Sequence, residues 1–156
     1  MDVSKVLKGH DVFRSFPPKQ VDAITAFTSA KMLDKGETVY TTDRKATHVH
    51  VLLEGCVELH LRGAPAHPGL LVSRVQNGEL FGVAPLLGCE RYTTQAVCAA
   101  ASKILYVEAR PLIEMMKDNA LIGQDIMSSV ARAYFDRYQR LVERVQRVIA
   151  DLASEV

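Results

Sequence analysis

The chain has 156 residues, of which 48% are hydrophobic, and its nineteen basic and eighteen acidic residues give a net charge of +1. This length suits one domain with an appended element, and the hydrophobic fraction is sufficient for a packed core. The balanced charge lacks the basic face of nucleic-acid-binding proteins, and there is neither a bilayer-spanning apolar run nor an N-terminal signal peptide. Cys56, Cys89 and Cys98 form no metal motif or disulfide framework, so we expect a cytoplasmic chain with reduced thiols and no nucleic-acid or membrane partner.

The N-terminal segment, residues 4 to 30, is predicted to be helical in two parts. Pro17 and Pro18 separate the parts, and Pro18 suits the first turn of the second helix. The second helix is indicated by apolar residues at helical spacing, namely Val21, Ile24, Ala26 and Phe27.

From Met32 onwards, short β-rich segments follow one another. Val57, Leu59 and Leu61 alternate with polar residues, which is the period-two pattern of a half-buried strand. Turn residues separate the segments at Gly36, Gly55, Gly63-Ala64-Pro65 and Asn77-Gly78. The predicted strands cover residues 38–40, 48–53, 56–61, 70–75, 92–99 and 103–107. Many short strands at this spacing favour an antiparallel sandwich or barrel.

The C-terminal part is predicted to be helical again. Pro111 suits the start of a helix that runs through Asp118, and residues 119–123 form a short connection to the last element. In that element, apolar residues recur in alternating steps of four and three, which is the heptad pattern of a coiled coil. This heptad stripe consists of Met127, Ala131, Tyr134, Tyr138, Leu141, Val145, Val148 and Leu152. The other positions carry a solvated polar face that includes Arg137, Arg140 and Arg144.

The heptad stripe needs a partner, because a helix of this length extends well beyond a small barrel at about 1.5 Å per residue. We predict that it forms the seam of a homodimer. The alternative is that the stripe folds back on the barrel of its own chain.

Several of these segments, taken in order, resemble the sensor domains of the Crp/Fnr family. The matching segments are Lys35–Tyr40, Leu52–Leu59, Gly78–Gly82 followed by Leu86-Leu87, Ile104–Val107, and Arg110–Leu112. The resemblance implies a mainly β fold: a double-stranded β-helix, or jelly-roll, barrel with flanking helices over residues 1–122 and a dimerisation helix over residues 123–156. It also implies effector sensing in signal transduction and transcription regulation. Because the family's transcription factors place a helix-turn-helix after the dimer helix, we expect a sensor without its own DNA-binding domain.

The resemblance also places a phosphate-binding cassette at Gly82. The family follows this glycine with a Glu that binds the ribose hydroxyl, whereas Val83 follows it here, and the family's phosphate-binding Arg falls on Thr93. Arg91, two residues earlier, is either a displaced ligand or a solvent-facing loop residue. Losing one buried polar partner costs about 1–3 kcal/mol, so we expect weak binding of cyclic nucleotides, with another small anion as a candidate effector. The candidate ligand-binding residues are Gly82, Val83, Ala84, Arg91, Thr93 and Thr94.

Other chemistry has less support. His48, His50 and His60, with Glu54, loosely imitate a cupin-like metal site, but we interpret these histidines as solvent-facing strand residues. The cysteines lack the N-terminal clustering of the family's iron–sulfur members, and haem is not expected. No catalytic motif is present in the sequence, so we predict no enzyme activity and no metal. The alternatives are a ligand-free module for dimerisation and partner binding, and a cupin-like metal enzyme.

Overall fold

The computed structural model describes residues 2–14, 16–62 and 69–156, so the turn predicted at Gly63-Ala64-Pro65 lies outside the described residues. The helices are α1 (Val3–Gly9), α2 (Pro18–Thr25), a 3₁₀ helix (Ala84–Leu87), α3 (Ala109–Asp118) and α4 (Ala120–Ser154). The strands are β1 (Thr28–Leu33), β2 (Thr38–Tyr40), β3 (His48–Glu54), β4 (Val57–His60), β5 (Leu71–Val75), β6 (Leu80–Phe81), β7 (Gln95–Cys98) and β8 (Ser102–Glu108).

The strands form two four-stranded antiparallel sheets. Their strand orders are β1-β8-β3-β6 and β2-β7-β4-β5. Strand alternation then divides the core into two layers. Val49 and Val51 of β3 face the helices, while Leu52 of the same strand packs with Val57 and Ile104 inside the barrel. The predicted antiparallel barrel with flanking helices is therefore confirmed.

Two helical boundaries differ from the prediction. Residues 28–30 belong to β1 and not to a helix, because this segment pairs with β8 from Thr28 opposite Val107 to Leu33 opposite Ser102. The predicted connection 119–123 is also wrong, since α4 begins at Ala120. The Asn119 side chain accepts a hydrogen bond from the Ile122 backbone N–H at 3.3 Å and so caps the helix directly. In both cases a tertiary pairing or a side-chain cap decides a boundary that periodicity leaves open.

Helix α4 is 35 residues long and packs on the barrel through only part of its length. Its buried residues are Ile122, Ile126, Val130, Ala133 and Arg137, which is a different set from the heptad stripe. All residues from Val145 to Val156 are exposed, so this part of the helix projects beyond the barrel. Among the described residues, no helix is long and apolar enough to cross a membrane.

Candidate functional site

A cavity of about 260 Å³ lies between the barrel, the turn after β6 and helix α4. The barrel contributes Tyr40, Leu59, Val72 and Tyr92 to its lining. The segments that flank the 3₁₀ helix contribute Gly82, Val83, Ala84, Thr93 and Thr94. Helix α4 closes the cavity with Tyr134, Arg137, Tyr138 and Leu141. This is the place where the sequence predicted a ligand cassette.

Gly82 brings the backbone close to the barrel interior at the edge of this cavity. Its φ is +61°, and a Cβ placed on it would lie 2.6 Å from His50 Nδ1 and 2.7 Å from Tyr40 Cε1. Only glycine combines this left-handed conformation with so close an approach. The chain can therefore pass directly from β6 into the 3₁₀ helix and present Val83 and Ala84 at the cavity.

The structure brings five of the six predicted ligand residues to the cavity. Thr93 is exposed and Thr94 is half-buried, with a hydrogen bond between the Thr94 and Tyr40 hydroxyls. Val83 is only 2% exposed and packs in the core, so the residue after Gly82 presents an apolar side chain where the resemblance predicted a carboxylate. The cavity therefore keeps the cassette's backbone path but not its acidic side chain.

Arg91 does not line this cavity. Its guanidinium donates a hydrogen bond to the Asp43 carbonyl oxygen at 2.6 Å, and its backbone forms an isolated β-bridge with Lys45. The side chain is exposed and borders a separate open groove beside Glu90 and Arg110. The sequence left open whether Arg91 is a displaced ligand or a solvent-facing loop residue, and the structure supports the loop residue.

Two tyrosines form an aromatic wall on the barrel side of the cavity. The rings of Tyr40 and Tyr92 stack with centroids 4.0 Å apart and an interplanar angle of 18°. Burial raises the pKa of Tyr40 above its ordinary value, and the Tyr92 hydroxyl donates to the His48 carbonyl oxygen at 2.7 Å. Both rings are thus fixed and neutral, and they offer an apolar surface with few free polar groups.

The interpretation of His50 as a solvent-facing histidine is wrong. Its side chain is 1% exposed and stacks on Phe81, with the Tyr106 ring edge-on at 4.7 Å. Burial lowers the pKa of His50 to about 3, with a smaller contribution from His48, so the imidazole is neutral. In the part of the chain that the structure describes, no group of three or more His, Cys, Asp or Glu side chains could hold a metal ion.

Arg137 is buried and does not lie on the solvated face of the helix, where the sequence pattern predicted it. Arg137 is 7% exposed and donates to the Leu80 carbonyl oxygen, and its guanidinium lies 3.5 Å from Glu79 Oε2. Burial lowers the pKa of Arg137, and the neighbouring Glu79 opposes that shift. Arg144 also leaves the solvated face, because it donates to the Leu71 and Val72 carbonyl oxygens at 2.9 and 3.2 Å.

A signal for Arg137 does exist in the sequence. The barrel-facing residues Ile122, Ile126, Val130 and Ala133 recur in steps of three and four, and one further step of four reaches Arg137. A second apolar stripe that ends in an arginine marks this side chain as buried and charged. The more regular heptad stripe on the adjacent face concealed this pattern.

Comparison with known proteins finds one matching domain family and several similar solved structures. Residues 30–119 match the family model described as the cyclic nucleotide-binding domain. A search of curated proteins finds no match. A solved structure assigned as a cyclic nucleotide-binding protein from Geobacter metallireducens GS-15 is 28% identical, with a TM-score of 0.75 over 88% of this chain and 99% of that chain.

Two further solved structures share the fold at lower identity. The sensor domain of the transcriptional regulator DNR from Pseudomonas aeruginosa is 18% identical, with a TM-score of 0.70 over 83% of this chain and 91% of that chain. The catabolite activator protein of Thermus thermophilus is 20% identical, with a TM-score of 0.63, and the match covers 92% of this chain and 62% of that longer one. These structures confirm the jelly-roll barrel with a long C-terminal helix.

Proposed function

The chain belongs to the cyclic nucleotide-binding domain family, and from this premise we propose that it is an effector-sensing regulatory domain. A small ligand binds in the cavity beneath α4. Binding changes the packing of α4, and the change passes to a second copy of the chain through the heptad stripe. The proposal has two parts, a ligand site and a dimer seam, and one observation connects them.

That observation is that three side chains of α4 belong to both surfaces. Tyr134, Tyr138 and Leu141 belong to the heptad stripe, and all three also line the cavity. A ligand that occupies the cavity therefore contacts the same side chains that would pack across a dimer seam. A ligand can shift an equilibrium only through differential contacts with its two states, and shared side chains provide such contacts directly.

The dimer seam is supported by the exposure of the stripe. Tyr138 is 63% exposed although it lines the cavity, and Val148 and Leu152 are 58% and 60% exposed in the helix segment from Val145 to Val156, all of whose residues are exposed. Burying one such aliphatic side chain contributes about 1.5–3 kcal/mol. Helix self-association around a two-fold axis would bury the whole stripe at once.

We expect cyclic AMP and cyclic GMP to bind weakly, with dissociation constants above about 100 μM. The reason is the lining of the cavity: Val83 offers no acceptor for the ribose hydroxyl, Thr93 replaces the cation, and Arg91 is engaged elsewhere. Two missing polar contacts at about 1–3 kcal/mol each correspond to a loss of roughly two to four decades in affinity.

The proposal is tested by titrating isotopically labelled protein, observed by NMR, with a fixed panel of cyclic AMP, cyclic GMP, benzoate, benzamide and benzylamine. We expect at least one of the three benzene derivatives to shift the backbone resonances of Thr93 and Thr94 together with those of Tyr138 and Val145. Shifts at Val145, which does not line the cavity, would report transmission along α4.

Two results would contradict the proposal. If no member of the panel shifts the cavity resonances, the domain is better described as a ligand-free module for dimerisation and partner binding. If a compound shifts Thr93 and Thr94 but leaves α4 unchanged, the cavity binds ligands without signalling through the helix. Tight binding of a cyclic nucleotide would show that Thr93 and Thr94 replace the missing charged contacts.

A further inference from the structure

The guanidinium of Arg137 occupies an unusual place for a charged group. The residue is 7% exposed, forms part of the wall of the cavity beside Tyr134 and Tyr138, and donates to the Leu80 carbonyl oxygen. No described residue accepts a hydrogen bond from its buried Nε. A buried cation with an unused donor costs folding free energy, so a group that accepts from it would be stabilising.

The carboxylate nearest to Arg137 is shared with a second arginine. Glu79 lies between two arginines of α4, with its Oε2 3.5 Å from Arg137 and its Oε1 3.4 Å from Arg140. Both distances are at the long end for an ion pair with hydrogen bonds, and the Nε atoms of both arginines are buried without a partner among the described residues. Glu79 is shared between two guanidiniums, so it compensates the charge of Arg137 only in part.

The rest of the cavity is mostly apolar. The stacked rings of Tyr40 and Tyr92 form one side, Leu59 and Leu141 contribute aliphatic surface, and the Thr94 hydroxyl is occupied by Tyr40. At about 260 Å³ the cavity is slightly smaller than the pockets that hold drug-sized molecules, roughly 300–1,000 Å³. It therefore suits a compact molecule with one anionic group and an apolar or aromatic body.

We propose that Arg137 is the anion-binding residue of this site and that the effector is a small aromatic or apolar monocarboxylate. This inference rests on the proposed sensing function and specifies its ligand. The carboxylate accepts hydrogen bonds from the guanidinium, which Glu79 compensates only in part, while the ring lies against Tyr40 and Tyr92. The cation thus comes from the signalling helix and not from the strand position that Thr93 occupies. The charge of the ligand therefore acts directly on α4.

The test uses benzoate and its neutral isostere benzamide on the wild-type protein, by calorimetry. We expect benzoate to bind at least tenfold more tightly than benzamide, because the carboxylate carries a negative charge and has two acceptor oxygens, whereas the amide offers the guanidinium one neutral acceptor. The Nε–H resonance of Arg137, buried and without a described partner, should shift on binding of benzoate and move little with benzamide. This comparison needs no substitution and cannot be lost through misfolding.

Three variants assign the preference to Arg137. Arg137→Met keeps much of the apolar stem and should reduce the benzoate preference to about twofold or less, while Arg137→Lys should retain an intermediate preference. Arg140→Met is the matched control, since it removes the same charge from the same helix beside the same Glu79 but does not line the cavity. It should leave the ratio of the two affinities within about twofold of the wild type.

Each outcome decides the inference. It is overturned if benzoate and benzamide bind equally, if neither binds, or if Arg137→Met keeps the preference. It is also overturned if Arg140→Met abolishes the preference as fully as Arg137→Met, since the effect would then be general charge and not contact. If benzamide or benzylamine binds at least as tightly as benzoate and shifts the resonances of α4, this inference fails and the proposed sensing function stays intact.

Discussion

Gly82 is the most constrained backbone position of the candidate site. It needs a left-handed φ of +61°, and it also needs the space that a Cβ would take from His50 and Tyr40, both of which are buried and fixed by ring packing. Gly88 has a similar φ of +77°, but a Cβ at this position would have no other atom within 4 Å. The two glycines lie on either side of the same 3₁₀ helix, so a comparison of substitutions at the two positions separates backbone strain from steric conflict.

We expect Gly82→Ala to lower the free energy of unfolding by about 3 kcal/mol, from about 1 kcal/mol of left-handed strain and the rest from overpacking. Gly88→Ala should cost only the strain, about 1 kcal/mol. Urea unfolding followed by circular dichroism measures both. Equal losses in the two variants would show that the Gly82 approach is not tight in solution.

His50 gives the fold a defined pH dependence. Burial lowers its pKa to about 3 from the ordinary value of 6.5, so between these values the unfolded chain binds a proton that the folded chain excludes. The free energy of unfolding must therefore fall as the pH falls below 6.5. Between pH 7.5 and pH 5 the contribution of His50 is about 2 kcal/mol, at 1.36 kcal/mol per pKa unit.

The variant His50→Leu tests this contribution. Wild-type protein should lose about 2 kcal/mol more stability than His50→Leu between pH 7.5 and pH 5. His10 and His48, whose pKa values burial also lowers, are present in both proteins, so the difference isolates His50. Parallel pH profiles of the two proteins would mean that His50 is accessible to protonation in the native state.

At the level of elements, the long segments with clear periodicity could be predicted, and the short ones could not. β3, β4, β5 and β8 appear in the sequence as apolar runs or alternating patterns of four residues or more. β6 has two residues and the 3₁₀ helix has four, which is too short for any periodicity. These two elements shape the cavity, and only the resemblance around Gly82 indicated them.

Helix α4 shows the same limit from the other side. Its heptad stripe is the more regular pattern in the sequence, whereas a second face with Ile122, Ile126 and Arg137 packs on the barrel and shows a weaker periodicity. A helix with two apolar faces carries two overlapping periodicities. The stronger pattern masked the one that places a charged residue at the candidate site.

The seam is tested by paired charge substitutions at its exposed end. Val148→Asp with Leu152→Asp should convert a dimer to a monomer at micromolar concentration, because each aspartate would bury a charge against its own copy across the two-fold axis. Gln146→Asp with Ala150→Asp adds the same charges at the same spacing off the stripe and should remain dimeric. Sedimentation velocity distinguishes the cases, and a monomeric wild type would refute the seam.

At the scale of the whole molecule, the order of the motifs predicted the fold class better than it predicted the site. The turns at Gly36 and Gly55 and the alternation in β4 are local features that strand pairing preserves. The site depends on which side chains of α4 reach the barrel, and that is set by packing between segments 57 and 58 residues apart in the sequence. Arg137 contacts Leu80 and Glu79 across such a separation, and no local pattern encodes that contact.

The central claim is that one set of side chains serves both the cavity and the dimer seam. The most direct measurement is the dimer dissociation constant by sedimentation equilibrium, without ligand and with benzoate, or the tightest-binding panel compound, at saturation. Because Tyr134, Tyr138 and Leu141 belong to both surfaces, we predict a change of about fivefold or more, which is the lower range of allosteric coupling. A dissociation constant that is unchanged when the cavity is occupied would contradict the account.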